Sequence, residues 1–433
     1  MSSLAEVKLW GTSIGAVSLE DQNYIATFQY TPEFVGSGIE VAPLTMPLRN
    51  EPYQFPALPY GTFHGLPGLL ADSLPDRFGN ALIDVWLAAQ GRTPESFNAV
   101  ERLCYTGARG MGALEYAPLK GPRNTQSQRL KVEELADLAS EVLAGRNNLA
   151  VTLEEKAGAL NEILRVGTSA GGARAKAVIS WNEETNEVRS GQVKAPSGFS
   201  YWILKFDGVH GNRDKEIEDP KGYGAIEYAY SIMAKDAGIE MEASHLFEEG
   251  GRRHFMTRRF DRTSEGHKKH MLSLCAMAHY DFNNPNAYSY EQAFMVMRRL
   301  GLPIEQIEQM FRRMVFNIAA RNQDDHVKNI AFLMDRNGNW NLSPAFDMTY
   351  SYNPEGLWTS SHQMSMNDKR NNFTLDDFIE CGRTISLKQG RAEKILEEVC
   401  CVVINWSEYA KAVQIPTGMI EKIKNTHRIM LAS

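Results

Sequence analysis

The sequence predicts an α+β chain with a strand-rich N-terminal third, a mixed middle lobe and a mostly helical C-terminal lobe that carries one acidic hairpin. Three observations predict it. The first third alternates apolar and polar residues with the period of two that half-buried strands show. The middle mixes such runs with 3.6-period segments, and beyond about Arg262 the period is almost wholly helical. The expected boundaries are 1–118, 119–261 and 262–433 of a chain of 433 residues. With 43% hydrophobic and 23% charged residues, the chain has the composition of a globular protein with sizeable cores.

Each element has its own signal. "AEVKLWGTSIGAVSLEDQNYIATFQYT" alternates and turns like a meander. "FHGLPGLLADSLPDRFGNALIDVWLAAQG" passes through Gly/Pro turns into a helix from about Asp76. The polar link from Lys120 to Arg129 precedes two amphipathic helices, "LKVEELADLASEVLAG" and "TLEEKAGALNEILRVG". A small-residue loop, "GTSAGGARAK", then leads into a hairpin. "YWILKF" reads as a short strand, "GAIEYAYSIMAKDAGI" as a strong helix, and "HLFEEGGRRHFMTRRFDR" as a hairpin turning at Gly250-Gly251. Helical runs fill the remainder, except for a hairpin that turns at Asn337-Gly338.

Composition excludes several classes. A formal charge of -7 disfavours a chain that coats nucleic acid by itself. The five cysteines form no C-x-x-C pair, so neither a zinc ribbon nor a disulfide framework is expected. No basic-then-apolar leader opens the chain and no apolar run reaches spanning length; the expectation is a cytoplasmic protein without membrane contact. His267 and His270 read as a solvated helix start, and Cys400-Cys401 as core.

The chemistry-bearing residues lie in the last two segments. Asp324 and Asn329 in "DDHVKN" are spaced D-x-x-x-x-N, the spacing of protein-kinase catalytic loops. There the Asp takes a hydroxyl proton and the Asn offers an oxygen to Mg²⁺. A hard cation also wants a carboxylate, and Asp347 in "AFDM" can provide it from the far side of the hairpin. Lys328 lies inside the loop, within reach of a transferring phosphoryl group. Taken alone, the short pattern also describes a solvated turn. Lys205, flanked by Ile203, Leu204 and Phe206, either snorkels to the sheet edge or meets an anion, with Glu227 on the next helix as its available partner. "GTSAGGARAK" is neither a Walker A loop nor G-x-G-x-x-G, although its small residues would let backbone N–H groups approach phosphate. Lys369 and Arg370 form an exposed basic pair that could touch a phosphate of DNA.

In order, these segments resemble the HipA family of toxin kinases from bacterial type II toxin–antitoxin modules. "FHGLPGLLADSLPDRFGN" is similar to the family's N-terminal signature and "SAGGARAKA" to its phosphate loop. "WILKF" resembles its strand lysine, "RRFDR" its interlobe segment, and "DDHVKN" with "LSPAFD" its catalytic and metal segments. The resemblance implies a bilobal protein-kinase-like fold and a Ser/Thr protein kinase using ATP and Mg²⁺. By position it assigns Asp324 as catalytic base, and Asn329 and Asp347 as metal ligands. It assigns Gly171, Gly172, Ala173, Arg174, Ala175 and Lys176 to the nucleotide loop, and Lys205 as phosphate anchor. Arg258, Arg259 and Phe260 border the adenine, and His326, Lys328 and Phe346 complete the nucleotide site. Ser169 matches a loop serine whose autophosphorylation ejects the loop and switches the kinase off. Arg258 departs from the acidic residue expected there, which puts adenine recognition on backbone groups.

The resemblance also implies partners. They are a HipB-type helix-turn-helix antitoxin dimer, operator DNA reached mainly through it, and a substrate that is an aminoacyl-tRNA synthetase, with the glutamyl enzyme favoured. Two other readings stay open: a non-catalytic corepressor subunit and a small-molecule phosphotransferase.

Overall fold

A computed structural model describes residues 2–20, 24–122, 129–144, 157–167, 174–209 and 221–429. Strands β1 (Ser2–Leu9), β2 (Thr12–Glu20), β3 (Thr27–Tyr30) and β4 (Leu114–Ala117) form an antiparallel sheet in the order β3-β2-β1-β4. Ala5, Val7 and Leu9 of β1 and Val17 and Leu19 of β2 turn to its buried side, as the alternation requires. Helices interrupt the expected run of strands, and the module is mixed rather than simply β-rich. Helix Arg77–Ala88 starts where the sequence placed it, with Asp76 as N-cap. Helix Ala99–Thr106 was not anticipated. Its signal was the capping box that Asn98 and Glu101 form.

The middle lobe is a five-stranded antiparallel sheet in the order β6-β5-β7-β9-β8. Its strands are β5 (Lys176–Asn182), β6 (Glu187–Ser190), β7 (Ser200–Lys205), β8 (Ser244–Glu249) and β9 (Arg252–Arg258). β5 is buried along nearly its whole length. Its neighbours share a core with Leu135 and Leu138 of helix Val132–Leu143 and Ile163 of helix Ala157–Val166. Phe78 and Leu82, from the N-terminal module's helix, enter that same core. Helix Tyr223–Asp236 packs on β8 and β9. Gly224 permits this, since a Cβ there would stand 2.3 Å from the Arg253 carbonyl oxygen.

The C-terminal lobe is mostly helical. Its long helices are Tyr290–Arg299, Ile304–Ala319, Leu375–Thr384 and Arg391–Val403. Between them sits a three-stranded sheet of β10 (His270–Ser273), β12 (Ala331–Met334) and β13 (Trp340–Leu342), and a short parallel pair of β11 (Tyr288–Ser289) with β14 (Met364–Ser365). His270 is therefore no solvated helix start; it opens a strand and is fully buried. Cys400 is core as expected, whereas Cys401 faces solvent. One continuous core runs from Phe28 and Leu69 of the N-terminal module through Tyr230 to Phe311 and Trp406.

Polar contacts stitch the N-terminal module to both lobes. The Gly68 N–H donates to His279 Nε2 at 3.0 Å, and Asp72 accepts from the Ser273 N–H and hydroxyl, each at 2.7 Å. Asp76 faces Lys176 of β5 at 3.4 Å. Asp261 accepts from the Gly112 N–H at 2.8 Å while Arg259 and Arg262 clasp it.

Candidate active site

β7 ends at Lys205, and its ammonium is held between two carboxylates. It donates to Glu227 on helix Tyr223–Asp236 and to Asp347 beyond the β12–β13 hairpin, each at 2.5 Å. Glu227 is 1% exposed and Lys205 13%, so the lysine does not snorkel to solvent. Burial alone would push the Lys205 ammonium down, but Asp347 and Glu227 hold it well above its ordinary range. Burial likewise works against the Asp347 carboxylate, yet Lys205, Lys176 and Arg174 keep it below the usual carboxylate range. Asp347 has a φ of 53°, a left-handed conformation that costs a non-glycine residue about 1–2 kcal/mol. That strain is borne at the residue whose carboxylate must turn back toward β7.

Arg174 lies 3.5 Å from the other oxygen of Glu227 and covers the Tyr223 ring. Ala175 is fully buried just before β5, and its carbonyl accepts from the Phe206 N–H. Three cations, Arg174, Lys176 and Lys205, thus surround one carboxylate pair. Gly171, Gly172, Ala173 and Ser169 lie outside the described residues.

Asp324 sits before a single 3₁₀ turn, Val327–Asn329. His326 caps this turn: its Nδ1 accepts from the Lys328 N–H at 3.2 Å. The proton of a neutral imidazole is then on Nε2, which lies 3.8 Å from Asp324. The Asn329 amide nitrogen donates to the Asp324 carbonyl at 2.8 Å, so its oxygen is the atom that a hard cation would take. Lys328 lies over the Phe282 ring. One cavity is lined by His326, Asn329, Phe346 and Asp347 together with Asn317 and Asn322. The Asn322 amide oxygen there is buried without a hydrogen-bond partner.

A buried relay that the sequence did not reveal supports this floor. Asp325 accepts from the Tyr290 hydroxyl at 2.6 Å and the Gln363 N–H at 2.8 Å, and lies 2.8 Å from His362 Nδ1. Asn317 donates to the Tyr290 oxygen, and Asn322 donates to Asn317 and to the Asp347 carbonyl. Asp207 was missed as well. Its carboxylate accepts the N–H groups of Gly222 and Gly224 and thereby fixes the start of the helix that carries Glu227. Only the D-D pair at 324–325 could have hinted at the first, since the partners of both are remote in sequence.

The other assigned residues are placed as follows. Arg258 is exposed at the end of β9, and its N–H donates to the Ala243 carbonyl. The Arg259 side chain turns to Asp261 and Gly110. Phe260 packs near Phe346, with ring centroids 5.7 Å apart. Lys369 pairs with Asp377, and Arg370 donates to the carbonyls of Gln363 and Asn286.

The residues present fit Mg²⁺ and a polyphosphate. Asn329 and Asp347 offer hard oxygens at one cavity, and three cations stand beside them. Among the described residues no three His, Cys, Asp or Glu side chains could hold a metal by themselves, so the phosphates would complete the shell. No helix among them is long and apolar enough to cross a membrane.

Two family models match the chain: the HipA N-terminal domain over residues 5–117 and the HipA-like C-terminal domain over residues 168–406. A Haemophilus influenzae protein provisionally named a kinase is 23% identical over 238 residues, covering 48% of this chain and 68% of its own. A chain of the solved Shewanella oneidensis MR-1 toxin–antitoxin system HipA, HipB and operator DNA complex is similar over 99% of this chain and 96% of that chain. Its TM-score is 0.67 and its identity 17%. This likeness shows the fold, a bilobal kinase-like arrangement behind an N-terminal module.

Proposed function

This chain belongs to the HipA family, and on that premise we propose that it is an ATP- and Mg²⁺-dependent kinase that phosphorylates serine or threonine in a protein. The observation that carries the reading is the Lys205 ammonium gripped between Glu227 and Asp347. A strand lysine held by a helix glutamate is poised to meet phosphate oxygens, and the hairpin aspartate beside it is poised to meet the metal. Mg·ATP, when bound, supplies the phosphoryl group. Asp324 accepts the proton of the incoming hydroxyl and orients it. Asn329 and Asp347 would hold the metal, and Arg174, Lys176 and Lys205 would neutralise phosphate charge in a partly dry cleft.

As a toxin of a type II module, the chain would phosphorylate an aminoacyl-tRNA synthetase, with the glutamyl enzyme favoured, and so arrest translation. A HipB-type antitoxin dimer would neutralise it, and the pair would repress their operon on operator DNA. The Shewanella relative was solved with just such partners. Phosphorylation of Ser169 would add roughly -1.5 to -2 charge beside the triphosphate and shut the site.

The test is incubation with labelled ATP, Mg²⁺ and a panel of purified synthetases, with Asp324→Gln as control. Label on one synthetase from the wild type alone supports the reading. No label on any protein, with antitoxin and operator still bound, would make the chain a corepressor instead. Mass spectrometry should find phosphate on Ser169 in the wild type and none in Asp324→Gln.

A further inference from the structure

The segment "GLLADSLPDRFG", Gly68 to Gly79, has no role in the chemistry above, yet it touches both lobes. Gly68 and Asp72 bond to His279 and Ser273 of the C-terminal lobe. Four residues later Asp76 faces Lys176 on β5, where the side chains are 5% and 3% exposed. Asp76 divides its two oxygens. One accepts the Gly79 N–H at 2.6 Å and caps helix Arg77–Ala88, and the other faces the Lys176 ammonium.

We infer that Asp76 is a positioning residue of the nucleotide site, through which the N-terminal module holds Lys176 in place for phosphate. The inference rests on the kinase reading. A buried ammonium needs a counter-charge, and whichever carboxylate provides it decides where the nitrogen sits. Asp76 provides it from outside the kinase lobes. Among the described residues, Asp347 is another carboxylate that acts on Lys176. Without the Asp76 charge, Lys176 is drawn to Asp347, where it competes with the metal. Asp76 therefore keeps the phosphate lysine and the metal aspartate apart. Burial pushes the Lys176 ammonium down and the Asp76 carboxyl up, which marks how much each depends on the other for its charge.

Asp76→Asn isolates this role, because Asn caps a helix as well as Asp does and only the charge is lost. Calorimetry on the full chain with Mg·ATP should show at least a tenfold loss of affinity, and half-saturation should need several-fold more Mg²⁺. In a Lys176→Gln background, Asp76→Asn should change neither quantity more than twofold. Unchanged ATP affinity in Asp76→Asn, or an equal loss in both backgrounds, overturns the inference. If Asp76→Asn does not fold, Asp76→Glu keeps the charge and displaces it by one methylene. It should weaken Mg·ATP at least threefold with wild-type Lys176 and not with Lys176→Gln; equal effects in both again overturn the role. A wild type that binds no Mg·ATP would refute the kinase reading itself, which is a separate result from additive effects in a protein that binds it.

Discussion

Asp261 offers a decisive perturbation, because it binds two guanidinium groups in the buried seam between the N-terminal module and the lobes. Arg259 approaches through Nε at 2.9 Å and Nη2 at 2.7 Å, Arg262 through Nη1 at 2.7 Å, and the Gly112 N–H at 2.8 Å. Asp261 is 0% exposed, and the Arg259 and Arg262 side chains are 1% and 8%. Burial works against its carboxylate, yet Arg259 and Arg262 hold it well below the ordinary range. Asp261→Asn keeps an acceptor for Gly112 but removes the carboxylate that both buried guanidinium groups bond. Breaking a buried pair from one side costs about 3–5 kcal/mol. Asp261→Ala also orphans the Gly112 N–H, which adds about 1–3 kcal/mol. Urea denaturation at pH 7 should resolve both variants, with Asp84→Ala as a surface control. Asp84 lies 3.5 Å from Arg102 and is 42% exposed, so its loss should cost no more than about 1 kcal/mol. A loss below about 1 kcal/mol in both Asp261 variants would refute the claim that this carboxylate holds the seam.

Three further outcomes follow from the geometry. Asp347→Ala should abolish the Mg²⁺ dependence of ATP binding. Because the wild-type carboxylate is held below its ordinary pKa, its own ionisation should add no pH dependence to Mg·ATP affinity between pH 6 and 8; equal calorimetric affinity in Asp347→Ala would remove this residue from the site. Burial lowers His270 to about 4. The unfolded chain therefore takes up a proton near pH 6.5 that the folded chain refuses, and stability falls as the pH drops from about 6.5 to 4. Between pH 7.5 and 5 that one site costs about 2 kcal/mol. His270→Gln, which keeps a donor for the Val41 carbonyl, should flatten the urea-midpoint profile by that amount, and an unchanged slope would contradict it. Gly224→Ala pushes a Cβ into the Arg253 carbonyl. The variant should lose about 1–3 kcal/mol and bind Mg·ATP more weakly, since the helix that carries Glu227 must move; wild-type values for both would show that the close approach is dispensable.

Local signals were legible in the sequence and remote ones were not. The hairpin turns at Gly250-Gly251 and Asn337-Gly338 follow from residues that favour positive φ, and Gly250, Gly251 and Gly338 take it where the turns were expected. The contact between Lys205 and Glu227 lay within reach of the sequence because one strand and the next helix carry the two residues. Asp76 was legible as a helix start, but its partner Lys176 lies on a strand of another lobe, and no periodicity links the two. The same holds for Asp325 with His362 and for Asp261 with Gly112. The N-terminal third misled because its short helices sit between strands, and the capping box at Asn98 is their clearest sign.

Helix Arg77–Ala88 lends Phe78 and Leu82 to a core whose other walls include Leu204 and Met256. A ribosome makes this helix long before those walls exist. At about 5–20 residues per second, the apolar face waits roughly four to fifteen seconds for the chain to reach Ile163, and about twice as long for Met256. During that interval the nascent protein carries an uncovered greasy stripe and no nucleotide lobe. A truncation that begins after this helix meets the opposite problem, since its sheet lacks the lid that Phe78 and Leu82 provide. The N-terminal module is thus less an appendage than a part that must be in place before the nucleotide lobe can close.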